Sequence, residues 1–377
     1  MRIGFDGKRA VQNFTGLGNY SRYVADILCH FYPENDYVLY APKKRENKRM
    51  NLLTGQYRQL TLAYPATSFW KKLSSLWRVW GITSQLEKEG IELFHGLSNE
   101  LPLNIHKSRI KSIVTIHDLI FLRYPQYYQS IDRKIYTYKF RKACENADKI
   151  IAISECTKRD ITRYFNIPDD KIEVVYQGCD VSFTHPVTEE KKEEVRKKYQ
   201  LPDHYILNVG SIEERKNILA AVQALPMLPQ HIHIVIVGRR TGYTEKVEQF
   251  IKDNGLGERV HIISNVPFND LPAFYQSAEI FVYPSRFEGF GIPIIEALYS
   301  GIPVVAATGS CLEEAGGPDS IYVNPDDITG LADAFKQIYS NSDKRKNMVE
   351  KGREFAKRFS EKQQSEEIIN IYKKLIR

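Results

Sequence analysis

The stretch Ile280-Phe281-Val282-Tyr283-Pro284-Ser285-Arg286-Phe287-Glu288-Gly289-Phe290-Gly291-Ile292-Pro293-Ile294-Ile295-Glu296-Ala297-Leu298 decides the fold. Its first four residues form an apolar, partly β-branched run of strand length. Two glycines around an aromatic then let the backbone approach a ligand closely, and Pro293 suits a helix start, where its missing N–H is no loss. Strand, loop and helix start in succession form the repeating unit of a parallel sheet, whose ligands bind beyond the carboxyl ends of the strands. Free N–H groups at such a start favour a phosphate or an electron-rich sugar oxygen. Glu288 is expected in the loop and Glu296 in the first helical turn, both accepting hydrogen bonds from ligand hydroxyls. The plain alternative is an acid complementing the dipole beside a simple glycine turn; finding all these features after one strand favours a ligand.

Outward from this stretch, strand-like runs recur at Tyr205 to Gly210, Ile232 to Gly238, Val260 to Ile263, Val304 to Ala307 and Ile321 to Val323. The front of the chain repeats the scheme with Arg2 to Asp6, Tyr37 to Ala41, Leu93 to Gly96, Ser112 to Asp118, Ile150 to Ser154 and Glu173 to Tyr176. Helical patterns separate them, notably Gly18 to Phe31, Asp132 to Asn146 and Glu155 to Phe165. The alternation predicts an α/β protein of two Rossmann-like, doubly wound parallel sheets, residues 1–185 and 186–359, with a ligand cleft between them. Val181 to Glu194, with Pro186 and a run of charge, is expected to be a linker followed by a surface helix.

Composition agrees with 377 residues at about 150 per domain. Hydrophobic residues make up 42% and charged residues 26%, which excludes disorder. No apolar run reaches the ~18 residues of a membrane helix. The amino-terminal Met1-Arg2-Ile3-Gly4-Phe5-Asp6 lacks the pattern of a signal peptide, and five scattered cysteines lack metal or redox spacing, so a cytoplasmic location with reduced thiols is expected. Net charge is +7, concentrated in the front half: residues 1–185 carry 28 basic and 19 acidic side chains, the remainder 25 and 27. Such a field suits nucleic acid, an anionic membrane or a phosphorylated substrate. No nucleic-acid-binding signature accompanies it, and no nucleic-acid partner is expected.

A second chemical cluster follows the run Tyr205 to Gly210. Arg215 and Lys216 stand where a helical pattern begins, the end at which the macrodipole disfavours cations, so an anion is expected to compensate them. A diphosphate fits, Arg offering a planar fork and Lys a mobile charge; a solvated pair beside Glu213 and Glu214 is the alternative. In the front half, Gly16-Leu17-Gly18 precedes the first long helix. It lies ten residues past the strand end at Asp6 and has Ser21 at the third glycine position, which argues against nicotinamide binding. His117 ends another strand and is either a packed residue or a catalytic one. Residues 69–80 place Phe69, Leu73, Leu76, Trp77 and Trp80 on one helical face with no acid. They either pack into their own domain or make peripheral contact with a membrane.

Taken together, these residues resemble a retaining glycosyltransferase of the GT-B fold, in glycosyltransferase family four. The resemblance covers nearly the whole chain and rests chiefly on Glu288 and Glu296, separated by seven residues within Glu-Gly-Phe-Gly-Ile-Pro. It implies sugar transfer from a nucleotide-diphosphate donor with retained configuration. By that likeness Glu296 holds ribose hydroxyls, Glu288 and the backbone of Gly289, Phe290 and Gly291 contact the donor sugar, and Arg215 and Lys216 bind the diphosphate. His117 meets the sugar, Gly16 and Gly18 line the diphosphate, and Asn265-Val266 contacts the base. Residues 360–377 resemble the family's closing helix, which returns to the front domain. Ser211 departs from the pattern where many members carry arginine, which leaves more of the phosphate charge to Arg215.

The absence of an Asp-x-Asp triplet leads us to expect no metal, and no cofactor beyond the nucleotide-sugar substrate. An overall likeness to bacterial mannosyltransferases of polysaccharide assembly puts mannose from GDP-mannose first, with a saccharide or lipid-linked acceptor. A UDP-sugar-dependent glucosyl- or N-acetylglucosaminyltransferase is the second reading. A sugar hydrolase or phosphorylase and a noncatalytic sugar- or nucleotide-binding protein stand as alternatives of other classes.

Overall fold

The computed structural model describes residues 1–13 and 16–376 and divides into two compact units. Residues 1–176 with the last helix, Glu361–Ile376, form one; Gln177–Ser360 form the other. The first unit holds strands β1 (Arg2–Asp6), β2 (Asp36–Tyr40), β3 (Leu60–Ala63), β4 (Leu93–Gly96), β5 (Lys111–Ile116), β6 (Lys149–Ala152) and β7 (Ile172–Val174). They lie in the order β3-β2-β1-β4-β5-β6-β7, every neighbouring pair parallel. Successive side chains point to opposite faces, so Ile113 and Ile151 enter one core layer while Val114 and Ile150 enter the other. The last helix adds Ile368, Ile369 and Tyr372 to the layer that also contains Val24 and Leu28 of the helix Gly16–Phe31. The Tyr372 hydroxyl lies 2.5 Å from His95 Nδ1, whose Nε2 lies 2.8 Å from Thr115 Oγ1.

The second unit holds β8 (Tyr205–Val209), β9 (His233–Val237), β10 (Val260–Ile263), β11 (Ile280–Tyr283), β12 (Val304–Ala307) and β13 (Ile321–Val323), ordered β10-β9-β8-β11-β12-β13 and again parallel. In each sheet the chain winds outward from a central strand and then crosses to its other side. The reversals fall between β1 and β4 and between β8 and β11, the points at which doubly wound sheets bind ligands.

Three expectations need correction. Strand β3 is an additional edge strand at Leu60–Ala63. Residues 177–185 belong with the second unit, where Phe183 is fully buried, its ring centroid 5.3 Å from that of Tyr275. A solvated linker would leave that ring in water. Residues 69–80 are not one amphipathic helix: short turns at Ser68–Lys72 and Ser74–Leu76 lead into a π-turn at Trp77–Gly81. Trp77 is buried and donates to Gln85 Oε1, whereas Phe69, Leu73, Leu76 and Trp80 are exposed.

Candidate active site

The adjacency of β8 and β11 brings two loops together, although 72 residues separate Arg215 from Phe287. After β8 the chain makes a short turn at Glu214–Lys216, and Asn217 takes left-handed backbone dihedrals before the helix Ile218–Ala224 begins. Arg215 and Lys216 therefore precede the helix rather than occupy its first turn. The Asn217 amide donates to the carbonyls of Pro284 and Pro325, and the Arg286 N–H donates to the Arg215 carbonyl, locking this turn to the loop after β11.

Within that frame the anion facing both cations is Glu288. Arg215 Nη1 lies 2.8 Å from Glu288 Oε2, and Lys216 Nζ lies 3.6 Å from Oε1. Arg215 also donates to the Phe287 carbonyl and stands 3.7 Å from Glu213. The three side chains are only 13–17% exposed, so the solvated-pair alternative does not describe them. Tyr283, the last residue of β11, accepts from Lys216 Nζ at 3.0 Å and donates to Glu288 Oε1 at 3.1 Å; Ser285 Oγ donates to the same oxygen at 2.9 Å. Burial opposes ionisation of Glu288, but the charges of Lys216 and Arg215 and the hydrogen bonds from Arg215 and Ser285 outweigh it and hold the carboxyl down at about 2. The same contacts overcome burial to hold Lys216 and Arg215 more firmly protonated. Arg215, Lys216 and Glu288 are thus ionised throughout the neutral range, two cations around one carboxylate, a set able to take an anion more highly charged than a carboxylate.

The loop beyond is braced from below. Cys311 Sγ lies 3.0 Å from the Glu288 carbonyl oxygen and 2.8 Å from that of Phe290, which share its one S–H, and the buried Phe290 ring packs on Phe359. Phe290 can therefore offer a ligand only its backbone. Gly289 is half-buried, and Gly291 caps the following helix at φ +144°, a conformation that favours glycine. Glu296 lies past the first turn of that helix, Ile292–Ser300, and not within it as expected, so the plain alternative of an acid complementing the dipole does not describe it. It accepts a 2.6 Å hydrogen bond from Tyr275. Burial raises its carboxyl to about 7, against the Tyr275 bond and with a smaller push from Asp180. Val266 is partly exposed just beyond β10, in a turn where Asn265 has φ +59° and Ser264 Oγ donates to the Gly238 carbonyl.

The first unit gathers its own candidates. Asn99 Oδ1 accepts from the His117 N–H at 2.7 Å. His117 Nε2 lies 2.9 Å from the Leu97 carbonyl, an obligate acceptor, so Nε2 carries the proton. Burial lowers the ring to about 4, against the Leu97 bond and with help from Arg9, and His117 is neutral at pH 7. The Tyr20 ring meets it edge-on at 4.6 Å, which puts the start of the Gly16–Phe31 helix beside the histidine. Gly18 has a steric reason there: a Cβ would fall 2.0 Å from the Asn13 carbonyl oxygen. Gly16 is exposed, and a Cβ would meet nothing.

Sequence reading missed Tyr283 and Tyr275, whose hydroxyls bond the two glutamates. It also missed a buried cluster at the carboxyl end of β1, where Arg78 grips Asp6 through Nη2 at 2.5 Å and Nε at 3.1 Å and reaches Glu100 at 2.6 Å. The available signal was a carboxylate closing a buried strand.

Two doubly wound parallel sheets define the class of protein, the two-domain GT-B architecture of glycosyltransferases. The chain belongs to glycosyltransferase family four: the family profile "Glycosyltransferase Family 4" matches residues 21–183 and "Glycosyl transferases group 1" matches residues 189–355. It is 30% identical to the O-antigen chain mannosyltransferase B of Escherichia coli over 75% of this chain and 74% of that one. It is 29% identical to the O-antigen chain mannosyltransferase RfbU of Salmonella typhimurium over 60% of each. Among solved structures, the sucrose-phosphate synthase of Thermosynechococcus elongatus superposes with a TM-score of 0.78 at 20% identity, covering 100% of this chain and 99% of that one. Anabaena HepE, solved with UDP and glucose, superposes at 0.77 and 17% identity over 100% of both. The protein is a hexosyltransferase.

Proposed function

We propose that this enzyme transfers a hexose, with retained configuration, from a nucleotide-diphosphate donor to a saccharide or lipid-linked saccharide in cell-surface polysaccharide assembly, on the cytoplasmic side with peripheral membrane contact through residues 69–80. Mannose from GDP-mannose is the first donor, a choice supported by the O-antigen mannosyltransferases named above. The observation that carries the reading is the convergence of Arg215 and Lys216 on one anion at the β8–β11 reversal.

Breaking the anomeric C–O bond leaves its electron pair on the diphosphate and oxocarbenium character on the sugar. Fixed cations lower that barrier because they are in place before the charge develops. Arg215 and Lys216 supply the field, and a diphosphate of higher charge competes with Glu288 for them. Glu288, ionised down to about 2, is then an acceptor for sugar hydroxyls and not a proton donor. That counts against its being the acid of a glycosidase, which needs a protonated carboxyl. Glu296 accepts ribose hydroxyls, Gly289, Phe290 and Gly291 contribute backbone groups, and His117 presents a neutral ring to the sugar. Gly16 and Gly18 line the diphosphate, and Val266 contacts the base through its backbone. No divalent metal takes part.

The test is turnover with GDP-, UDP- and ADP-hexoses side by side, each in excess chelator. We expect transfer with GDP-mannose to persist. Complete loss in chelator contradicts the charge assignment, and sugar release without any nucleotide donor contradicts the transferase reading.

A further inference from the structure

Strands β11 and β12 are neighbours, so the loops that leave them meet. Residues 284–291, after β11, belong to neither helix nor strand, and their carbonyls have no ladder to join. A short helix, Leu312–Gly316, follows β12 and lies against that loop: a Cβ added to Gly291 would meet Leu312 and Ala315, each at 3.2 Å. Cys311, the residue before this helix, is fully buried, and its sulfur is the shared donor for the carbonyls of Glu288 and Phe290. Buried carbonyls need such a partner.

The arrangement has an effect on the far side of each peptide plane. A trans peptide holds its N–H opposite its C=O, so a carbonyl drawn toward Cys311 turns the N–H of the next residue away from it. Two carbonyls two residues apart, held by one sulfur, therefore turn the N–H groups of Gly289 and Gly291 to the side opposite the thiol. Neither glycine adds a side chain to cover that face. The ion pairs of Glu288 do not set these planes, because they act on its side chain.

We propose that Cys311 is a positioning residue for donor binding: its thiol fixes the 288–289 and 290–291 peptide planes so that the N–H groups of Gly289 and Gly291 face the donor sugar together. It touches no donor atom itself. The inference rests on the donor reading above and adds the side chain that sets the geometry of the loop. Alanine at this position leaves both carbonyls without the thiol and the two planes able to turn, whereas serine keeps a hydrogen to donate.

Cys311→Ala and Cys311→Ser are compared with the native full chain, with Cys144→Ala as the control for losing an equally buried thiol. GDP-mannose and GDP are the probes. Cys311→Ala should lower kcat/KM for GDP-mannose about tenfold and weaken GDP binding by less than about twofold, because only the intact donor brings a sugar to the loop. Cys311→Ser should recover all but about threefold of that loss. Cys144→Ala should leave both quantities at their native values, whatever its effect on Tm. In protein labelled at its glycine nitrogens, the amide resonances of Gly289 and Gly291 should move in Cys311→Ala without any ligand and return toward their native positions in Cys311→Ser. Unmoved glycine resonances overturn the proposal, as do native kcat/KM in Cys311→Ala, equal losses of GDP and GDP-mannose binding, or a serine variant no better than the alanine one. Failure of the native protein to turn over any nucleotide-hexose would instead defeat the donor reading, and the glycine resonances would still decide whether Cys311 sets those planes.

Discussion

Glu288 and Glu296 are the same residue type in one loop-and-helix stretch, yet their surroundings drive them in opposite directions. Two cations hold Glu288 ionised, and its contribution to stability is full above the ordinary value near 4.5 and lost as pH falls through about 2. Glu288→Gln leaves Arg215 and Lys216 facing each other with little water, so we expect a loss of about 3 kcal/mol in urea unfolding at pH 7, abolished when Lys216 is also neutralised. Glu296, raised to about 7, keeps a proton that the unfolded chain releases near 4.5, so it lowers stability as pH rises between those values. If ribose hydroxyls require its carboxylate, donor binding at pH 6.5 expels that proton. Calorimetry in buffers of different ionisation enthalpy should register the release, and Glu296→Gln should abolish it. Tyr283→Phe removes the hydroxyl between Lys216 and Glu288 and should lower kcat more than it raises the donor KM. Both glutamates and both cations were legible as chemistry in the sequence. The pairing of Glu288 with the two cations was not, because it depends on the β8–β11 neighbourhood, and neither tyrosine carries a local signal of its role.

Elements were legible where a long period or a clean apolar run defined them. Strands β4, β10, β11, β12 and β13 and the helix Glu155–Phe165 fall where patterning puts them. The edge strand β3 escaped because Leu60-Thr61-Leu62-Ala63 is only four residues long, too short for its brief alternation to define a period. Residues 69–80 carry a helical period, but the chain breaks it to bury Trp77, and tertiary packing overrides local pattern. At the ends of β8 and β9 the fit is tight enough to test: a Cβ on Gly238 would lie 1.8 Å from the Gly210 carbonyl oxygen. Gly238→Ala should therefore part the strand ends next to the Arg215–Lys216 turn and depress both Tm and turnover.

At the scale of the molecule, chain order and spatial grouping differ, since the last helix completes the core of the first unit. Tyr372 is fully buried there and reaches His95, so Tyr372→Ala should cost about 3 kcal/mol or more and destabilise that unit while nucleotide stabilisation of the second persists in differential scanning calorimetry. Sequence periodicity established two wound sheets. The grouping of residues 177–185 with the second unit goes with the burial of Gln177, Cys179 and Phe183, which no local pattern announces.

The proposed donor binding stands on a diphosphate-binding role for Arg215 and Lys216. Titrating GDP calorimetrically into the native protein and into Lys216→Ala tests it most directly. Loss of one charge-assisted contact predicts affinity weakened by about tenfold or more; equal affinities in the two proteins would contradict it.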